Sequence, residues 1–291
     1  FNALFDKIRK TPISQGGGLF LDRSDLYVAE AQYNLTDALK IGKEDNRTEV
    51  LIGGSYKQYV LNSQGTLFAD TTGTIKINET GAYMQLTQRF FNDVLKITAN
   101  GRYDKQNNFE GRFTPRISAV ISPTKNHNFR VSYQTAYRFP TTQNQWINLR
   151  VGAGTVLIGG LKQLRDYYNF DGNKVYTPAS VQAFGGSVLA GQPNPGLLVE
   201  QQFNTYKPEI AKSFEVGYKG LINNSLLIDA YVYGARYENF LGRIAVLQSK
   251  IPGNPIGLLQ ENTRTAYSVA VNSSSIVKTR GWGASLEYRM G

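Results

Sequence analysis

The sequence has 291 residues, a formal net charge of +10, no cysteine and a single histidine. Disulfides, thiolate chemistry and Cys/His metal cages are therefore excluded, and no run of about eighteen apolar residues exists to form a transmembrane helix. The basic residues are spread along the chain, without zinc-finger spacing, an RNP phrase or a helix-turn-helix pattern, so nucleic acid is not the expected partner and an anionic lipid or solute fits the balance better.

Residues 1–24, with Pro12 and Gly16-Gly17-Gly18, read as an irregular loop holding a helical turn over 3–10. Alternation with a period of two begins at residues 27–35, where Tyr27, Ala29, Ala31, Tyr33 and Leu35 oppose Glu30, Gln32 and Asn34. A polar connection over 36–46 leads to a strand over 47–61, in which Gly53-Gly54 predicts a bulge or a close backbone approach. After a loop over 62–72 comes a long strand over 73–91 and a tight turn at Asn92-Asp93. Residues 94–104 alternate most cleanly, with Leu95, Ile97, Ala99, Gly101 and Tyr103 opposite Lys96, Thr98, Asn100, Arg102 and Asp104. Strands over 113–121 and 129–138 follow, joined by a turn at Pro123-Thr124-Lys125-Asn126. Polar faces loaded with Arg, Gln and Asn need water or partners, which a dry sandwich core does not supply.

Residues 139–206 form the longest irregular stretch, with Trp146, a Gly-rich run over 151–160 and a charged, aromatic run over 162–168. A structureless loop of that length is unusual in a compact domain. It is expected of a transmembrane barrel, whose outer loops are long and whose opposite turns are short. A hairpin follows: Phe214, Val216 and Tyr218 oppose Ser213, Glu215 and Lys219, and beyond a turn at Asn223-Asn224 the residues Leu226, Ile228, Ala230 and Val232 oppose Asp229 and Tyr231. Its second strand is read as running on over 240–247, residues 248–272 as another loop, and 275–290 as a closing strand with Trp282, Ala284, Leu286 and Tyr288 opposite Ser285, Glu287 and Arg289. Loops after Leu61, Asp104, Arg138 and Leu247 thus alternate with turns at Asn92, Thr124 and Asn223, and the connection over 36–46 is the exception.

Both hairpin strands exceed the five or six residues usual in globular strands and reach the roughly nine to eleven needed to cross a bilayer. The expected fold class is all-β, a transmembrane antiparallel β-barrel of about nine strands, apolar towards lipid and polar towards the lumen. Nine strands leave an open edge, so an incomplete barrel slice is expected.

The phrase Lys207-Pro208-Glu209, then Ser213-Phe214-Glu215-Val216-Gly217-Tyr218-Lys219-Gly220, an Asn turn and an aromatic-rich strand resembles the barrel hairpin of TonB-dependent outer-membrane receptors. The phrase Phe20-Leu21-Asp22-Arg23-Ser24-Asp25-Leu26-Tyr27 resembles a loop-to-strand transition of the same family. The resemblance implies part of a barrel of the ~22-strand type in the outer membrane of a Gram-negative bacterium. It implies uptake of a scarce solute, such as a siderophore, vitamin or oligosaccharide, as the receptor's own plug domain is moved by a TonB-type energising protein. No plug or TonB box is found, and the final Met290-Gly291 lacks the family's terminal aromatic, so residues 1–291 are expected to be one partial barrel domain cut from within a larger chain. Outer-membrane lipid and a surface lipoprotein or other complex subunit are the further partners implied, and no cofactor, metal or enzymatic reaction is expected. The alternatives are a receptor-like barrel acting as a docking subunit of an outer-membrane complex, and a soluble β-rich binding domain; an outer-membrane hydrolase is the weakest.

Arg102, Asp104, Arg116, Arg130, Arg138, Glu215 and Lys219 are the candidates for a lumen or plug-facing set. They would meet a plug carboxylate or an anionic solute, or line a solvated lumen. Trp146, Arg150, Arg165, Tyr167 and Tyr168 would form a ligand- or partner-facing lip on the long loop, or belong to a loop that folds on itself. His127 sits in a turn beside Asn126 and Asn128, without the Ser and carboxylate a hydrolytic triad needs, and reads as exposed and inert. Gly152-Ala153-Gly154 and Gly159-Gly160 lack the helix and the Gly-Lys-Ser/Thr of a phosphate loop and read as loop punctuation. Asn46-Arg47-Thr48 has no meaning as a glycosylation triplet without a eukaryotic secretory context.

Overall fold

Strands with one apolar and one polar face settle at a boundary between two media, and most of this chain is built from such strands. The structure, a computed structural model, describes residues 1–11, 16–42, 48–151 and 154–288. Pro12, the Asn46-Arg47 pair, Gly152-Ala153 and the Arg289–Met290 end of the closing strand lie outside these residues.

A helix α1 (Asn2–Lys10) precedes β1 (Asp25–Asn34), and a short α2 (Thr36–Leu39) precedes β2 (Glu49–Leu61). The strands β3 (Ile75–Phe90), β4 (Leu95–Gln106), β5 (Phe109–Thr124) and β6 (His127–Arg138) follow as a meander. Next come α3 (Thr142–Trp146), β7 (Asn148–Val151), β8 (Thr155–Ile158), α4 (Lys162–Tyr167), β9 (Val175–Tyr176) and α5 (Pro178–Leu189). The chain then runs through β10 (Glu209–Ile222), β11 (Leu226–Glu238), β12 (Leu241–Ser249), β13 (Arg264–Asn272) and β14 (Val277–Tyr288).

Two sheets result. The wall is a nine-stranded antiparallel sheet in the order β1-β2-β3-β4-β5-β6-β10-β11-β14, with β1 and β14 as its open edges. The cap is a five-stranded sheet in the order β7-β8-β13-β12-β9. Wall strands run from 10 to 16 residues, long enough to cross a bilayer and project beyond it. At one end they meet in tight turns, where Phe91, Asn92, Asp93, Asn223 and Asn224 adopt positive φ. Asn and Asp tolerate that region through local hydrogen bonding.

Several expectations are corrected. Residues 139–206 are not a structureless loop, because they supply α3, α4, α5, β7, β8 and β9. Residues 241–249 do not continue β11: the chain breaks at Asn239 (φ 58), and β12 pairs instead with β13, which lies inside the segment read as a loop. The connection after Asp104 is a turn rather than a loop, since β4 extends to Gln106 and β5 starts at Phe109. Gly53-Gly54 carries no bulge, as β2 stays in register with β1 and β3 throughout. The reason for Gly53 is a close approach: a Cβ there would lie 2.4 Å from Cζ of Tyr83.

The buried apolar clusters lie at the cap end. Val156, Ile158, Phe170, Val175, Val246, Tyr267 and Val269 form one. Leu61, Leu67, Phe68, Ile77 and Ile147 form a second, which ties the β2–β3 connection to the cap. Each fully buried aliphatic side chain contributes about 1.5–3 kcal/mol, so the cap has a core of its own. The wall has instead an uncovered apolar face.

Candidate functional site

Register sorts the wall side chains into two faces. On one lie Ile97, Ala99, Phe113, Ile117, Val131, Tyr133, Phe214, Val216, Val232, Trp282 and Leu286. These are exposed or half-buried, up to 77% for Trp282 and 70% for Leu286. Contiguous apolar surface of that extent marks a face that meets lipid or another protein.

The opposite face is polar, and the register places Arg102, Asp104, Arg116, Arg130, Arg138, Glu215 and Lys219 all on it. The structure brings some of these together. Arg102 Nε donates to Asp104 Oδ1 at 2.9 Å and Oδ2 at 2.8 Å, its Nη2 reaches Ser55 Oγ at 3.3 Å, and its guanidinium lies 5.8 Å from the Tyr83 ring centroid. Tyr83 in turn donates its hydroxyl to Gln32 Oε1 at 2.5 Å. Arg130 donates Nε to Glu215 Oε1 at 3.3 Å and Nη1 to Asp229 Oδ1 at 3.0 Å. Arg138 donates Nε to Glu209 Oε2 at 2.7 Å. Arg116 and Lys219 stand apart: both are exposed, and neither makes a salt bridge among the described residues. Lys219 faces Asp229 across the strands, but Arg130 holds that carboxylate.

Sequence reasoning missed Asp229 and Glu209 as members of this set. The signal for Asp229 was its place on the polar face of β11. The signal for Glu209 was the Lys207-Pro208-Glu209 phrase, which marks the junction of wall and cap. There Glu209 Oε1 also accepts from the backbone N–H of Leu241 at 3.0 Å, Asn239 Nδ2 donates to Pro208 O at 3.3 Å, and Asn272 Nδ2 donates to Lys207 O at 2.8 Å.

The five lip candidates separate. Trp146, Arg165 and Tyr168 belong to the cap's framework. Trp146 packs against the cluster around Leu61 and Ile147. Arg165 donates Nη1 to Gly160 O at 2.7 Å and covers the Phe203 ring at 5.2 Å. Burial lowers its pKa from the ordinary arginine value. Tyr168 bonds Asn148 and meets Tyr267 edge-on, with centroids 4.9 Å apart. Arg150 and Tyr167 are exposed on the cap, Tyr167 at 66%. His127 begins β6 rather than lying in the turn, half-buried, with Nδ1 2.7 Å from the Tyr218 hydroxyl. It is a wall residue with a partner.

A family model described as TonB dependent receptor-like, beta-barrel, matches residues 6–291. The chain belongs to this TonB-dependent receptor β-barrel family. Among solved structures, the siderophore receptor PirA from Pseudomonas aeruginosa is similar at 10% identity with a TM-score of 0.56, over 91% of this chain and 40% of that one. A variant of the ferric enterobactin receptor PfeA from Pseudomonas aeruginosa, in complex with enterobactin, gives 11%, 0.57, 92% and 34% in the same order. A double mutant of the Serratia marcescens hemophore receptor HasR, in complex with its hemophore and heme, gives 11%, 0.55, 93% and 41%. At these identities the likeness is one of fold. The chain spans 34–41% of the length of these receptors. Comparison with curated protein sequences gives no match. The nine-stranded sheet is thus part of a TonB-dependent receptor barrel.

Proposed function

We propose that the chain forms part of the wall and outer cap of a TonB-dependent receptor in the outer membrane of a Gram-negative bacterium. The receptor takes up a scarce solute, of which an iron chelate, a vitamin and an oligosaccharide are the classes to test. The observation that carries this reading is the two-faced wall, with uncovered aromatic and aliphatic side chains on one side and Arg102, Arg116, Arg130 and Lys219 on the other. Acyl chains suit the first face and a wet lumen the second. The paired cations serve the wall itself. Arg116 and Lys219 carry spare donors for a plug carboxylate or an anionic solute. The cap closes the long-loop end, where a solute arriving from outside is captured before a plug, pulled by a TonB-type protein, admits it.

The family is one of receptors rather than enzymes. The neighbours in fold are receptors for siderophores and for a heme-carrying hemophore, so an iron chelate is the first solute to try. The test is fractionation of native cells with an antibody to the cap, followed by uptake assays of labelled ferric chelates in a deletion strain. The reading requires the protein in the outer-membrane fraction and an uptake defect restored by the gene. A detergent-free soluble species would sink it.

A second reading is favoured by one feature: the cap exposes Leu189 at 91%, Ile251 at 58% and Ile256 at 49%. A receptor-like barrel that docks a surface lipoprotein or other subunit would use such a surface. Stoichiometric co-purification of a subunit, with no uptake defect on deletion, would decide for it.

A further inference from the structure

At the cap end of the apolar wall face, the register sets like charges against one another. Lys212 of β10 stands directly opposite Arg236 of β11, and Arg236 stands opposite Lys278 of β14. Arg280, two positions nearer the middle of the wall, stands opposite Gly234. Like charges directly opposite across strands destabilise a sheet. One carboxylate eases the row: Glu238 Oε1 lies 2.9 Å from Arg236 Nε and 3.6 Å from Lys212 Nζ. Lys278 and Arg280 are exposed and make no salt bridge among the described residues. Tyr133, Lys212, Phe214, Arg236, Lys278 and Arg280 line a shallow depression of about 320 Å³.

The next row on the same face is wholly apolar, with Val131, Val216, Val232 and Trp282 side by side. A free anion would neutralise the cations but leave this row uncovered. An acyl chain alone would cover the row but leave the cations unpaired. An amphiphile does both. A phosphomonoester suits the head position best, because it carries close to two charges and three acceptor oxygens for cations on adjacent strands.

We propose that Lys212, Arg236, Lys278 and Arg280 bind the phosphomonoester headgroup of a membrane lipid whose acyl chains lie on Phe214, Val232 and Trp282. The site rests on the reading of this face as the lipid-facing side of an outer-membrane wall. A lipid bound there covers the β10–β11–β14 strip, and its phosphate removes the repulsion along the row. Lysine and arginine side chains that merely snorkel to an interface would be drawn to an anionic headgroup equally at every point of the rim.

The experiment uses the full-length receptor in dodecylmaltoside micelles, doped with phosphatidic acid, with phosphatidylcholine, or supplied with inorganic phosphate at equal concentration. Phosphatidic acid is expected to raise the melting temperature, and the other two are not. Lys278→Gln and Arg280→Gln each weaken the phosphatidic acid affinity by about fivefold, the contribution of one basic side chain near an anionic surface. Lys76→Gln, at the same rim but on β3, leaves it unchanged. In lipid-free micelles Lys278→Glu melts no lower than the parent, since it faces Arg236, yet it loses the gain from phosphatidic acid. Equal stabilisation by phosphatidylcholine or by inorganic phosphate, or equal losses in Lys76→Gln, would overturn the site. A receptor that needs detergent but ignores phosphatidic acid fails this proposal alone, whereas one that stays soluble without detergent fails the membrane reading beneath it.

Discussion

Arg130 of β6 reaches over the intervening strand β10 to hold Asp229 of β11, with Nη1 3.0 Å from Oδ1. The strand it crosses leaves room because Gly217 lies beneath: a Cβ there would sit 2.7 Å from Arg130 Nε. Gly217 is the glycine of the Glu215-Val216-Gly217-Tyr218 phrase, so the phrase records a bridge spanning strands. Gly217→Val is expected to cost about 1–3 kcal/mol, because the guanidinium must move off both carboxylates. Arg130→Gln is expected to cost less than about 1 kcal/mol, since the Arg130 and Asp229 side chains are 32% and 31% exposed and solvent screens the pair. Urea titration of the micelle-bound receptor checks the order, and a costlier Arg130→Gln would contradict it.

Arg116 and Lys219 share the polar face but lie outside its ion pairs. Their replacement by Gln is expected to leave stability within about 0.5 kcal/mol, as for an exposed site with no salt bridge among the described residues. Uptake, or release of the plug by urea, is expected to change. Unaltered uptake and plug release in the double variant would show that the two cations only line a solvated lumen.

The cap has a separate core. Leu258 is fully buried there beside Val181 and Leu247. Leu258→Ala is expected to cost the cap about 2–5 kcal/mol. Limited trypsin digestion should then cut within residues 139–206 while the wall stays resistant. Simultaneous loss of wall and cap would show that they unfold as one unit.

Burial pushes the phenol pKa values of Tyr168, Tyr206 and Tyr267 above the ordinary 10.0. A raised folded-state value means that the folded cap holds these protons more tightly than the unfolded chain does. Their contribution is therefore intact below about pH 10 and is lost as the pH rises towards the folded values. The cap is expected to loosen in that alkaline range before the wall does. Tyrosinate absorbance followed together with near-ultraviolet circular dichroism reads this directly; phenols that titrate with no change in dichroism would contradict it.

The wall was legible in the sequence because its signal is local. Alternation in residues 95–104 and 213–219 assigns each side chain to a face without knowledge of its neighbours, and the Asn223-Asn224 turn fixes the pairing of β10 with β11. The cap was not legible, because its strands are short and its pairings remote. β7 and β8 have 4 residues each and β9 has 2. β8 finds its partner in β13, where Thr155 pairs in parallel with Ala266. No local pattern announces such a pairing, so glycine-rich sequence between the strands read as loop. The candidate site divided in the same way. Positions on the polar face followed from alternation, whereas the partners across strands, such as Asp229 for Arg130, required the register.

The central claim is that the face bearing Trp282 meets lipid and the face bearing Arg130 does not. The most direct measurement is labelling of the reconstituted full-length receptor by a carbene probe carried on a lipid acyl chain, with adducts mapped by mass spectrometry. Adducts are expected on Phe214, Val232, Trp282 and Leu286, with none on Arg130, Glu215, Asp229 or Ser285. Adducts shared evenly between the two sets, or confined to the polar one, would contradict the claim.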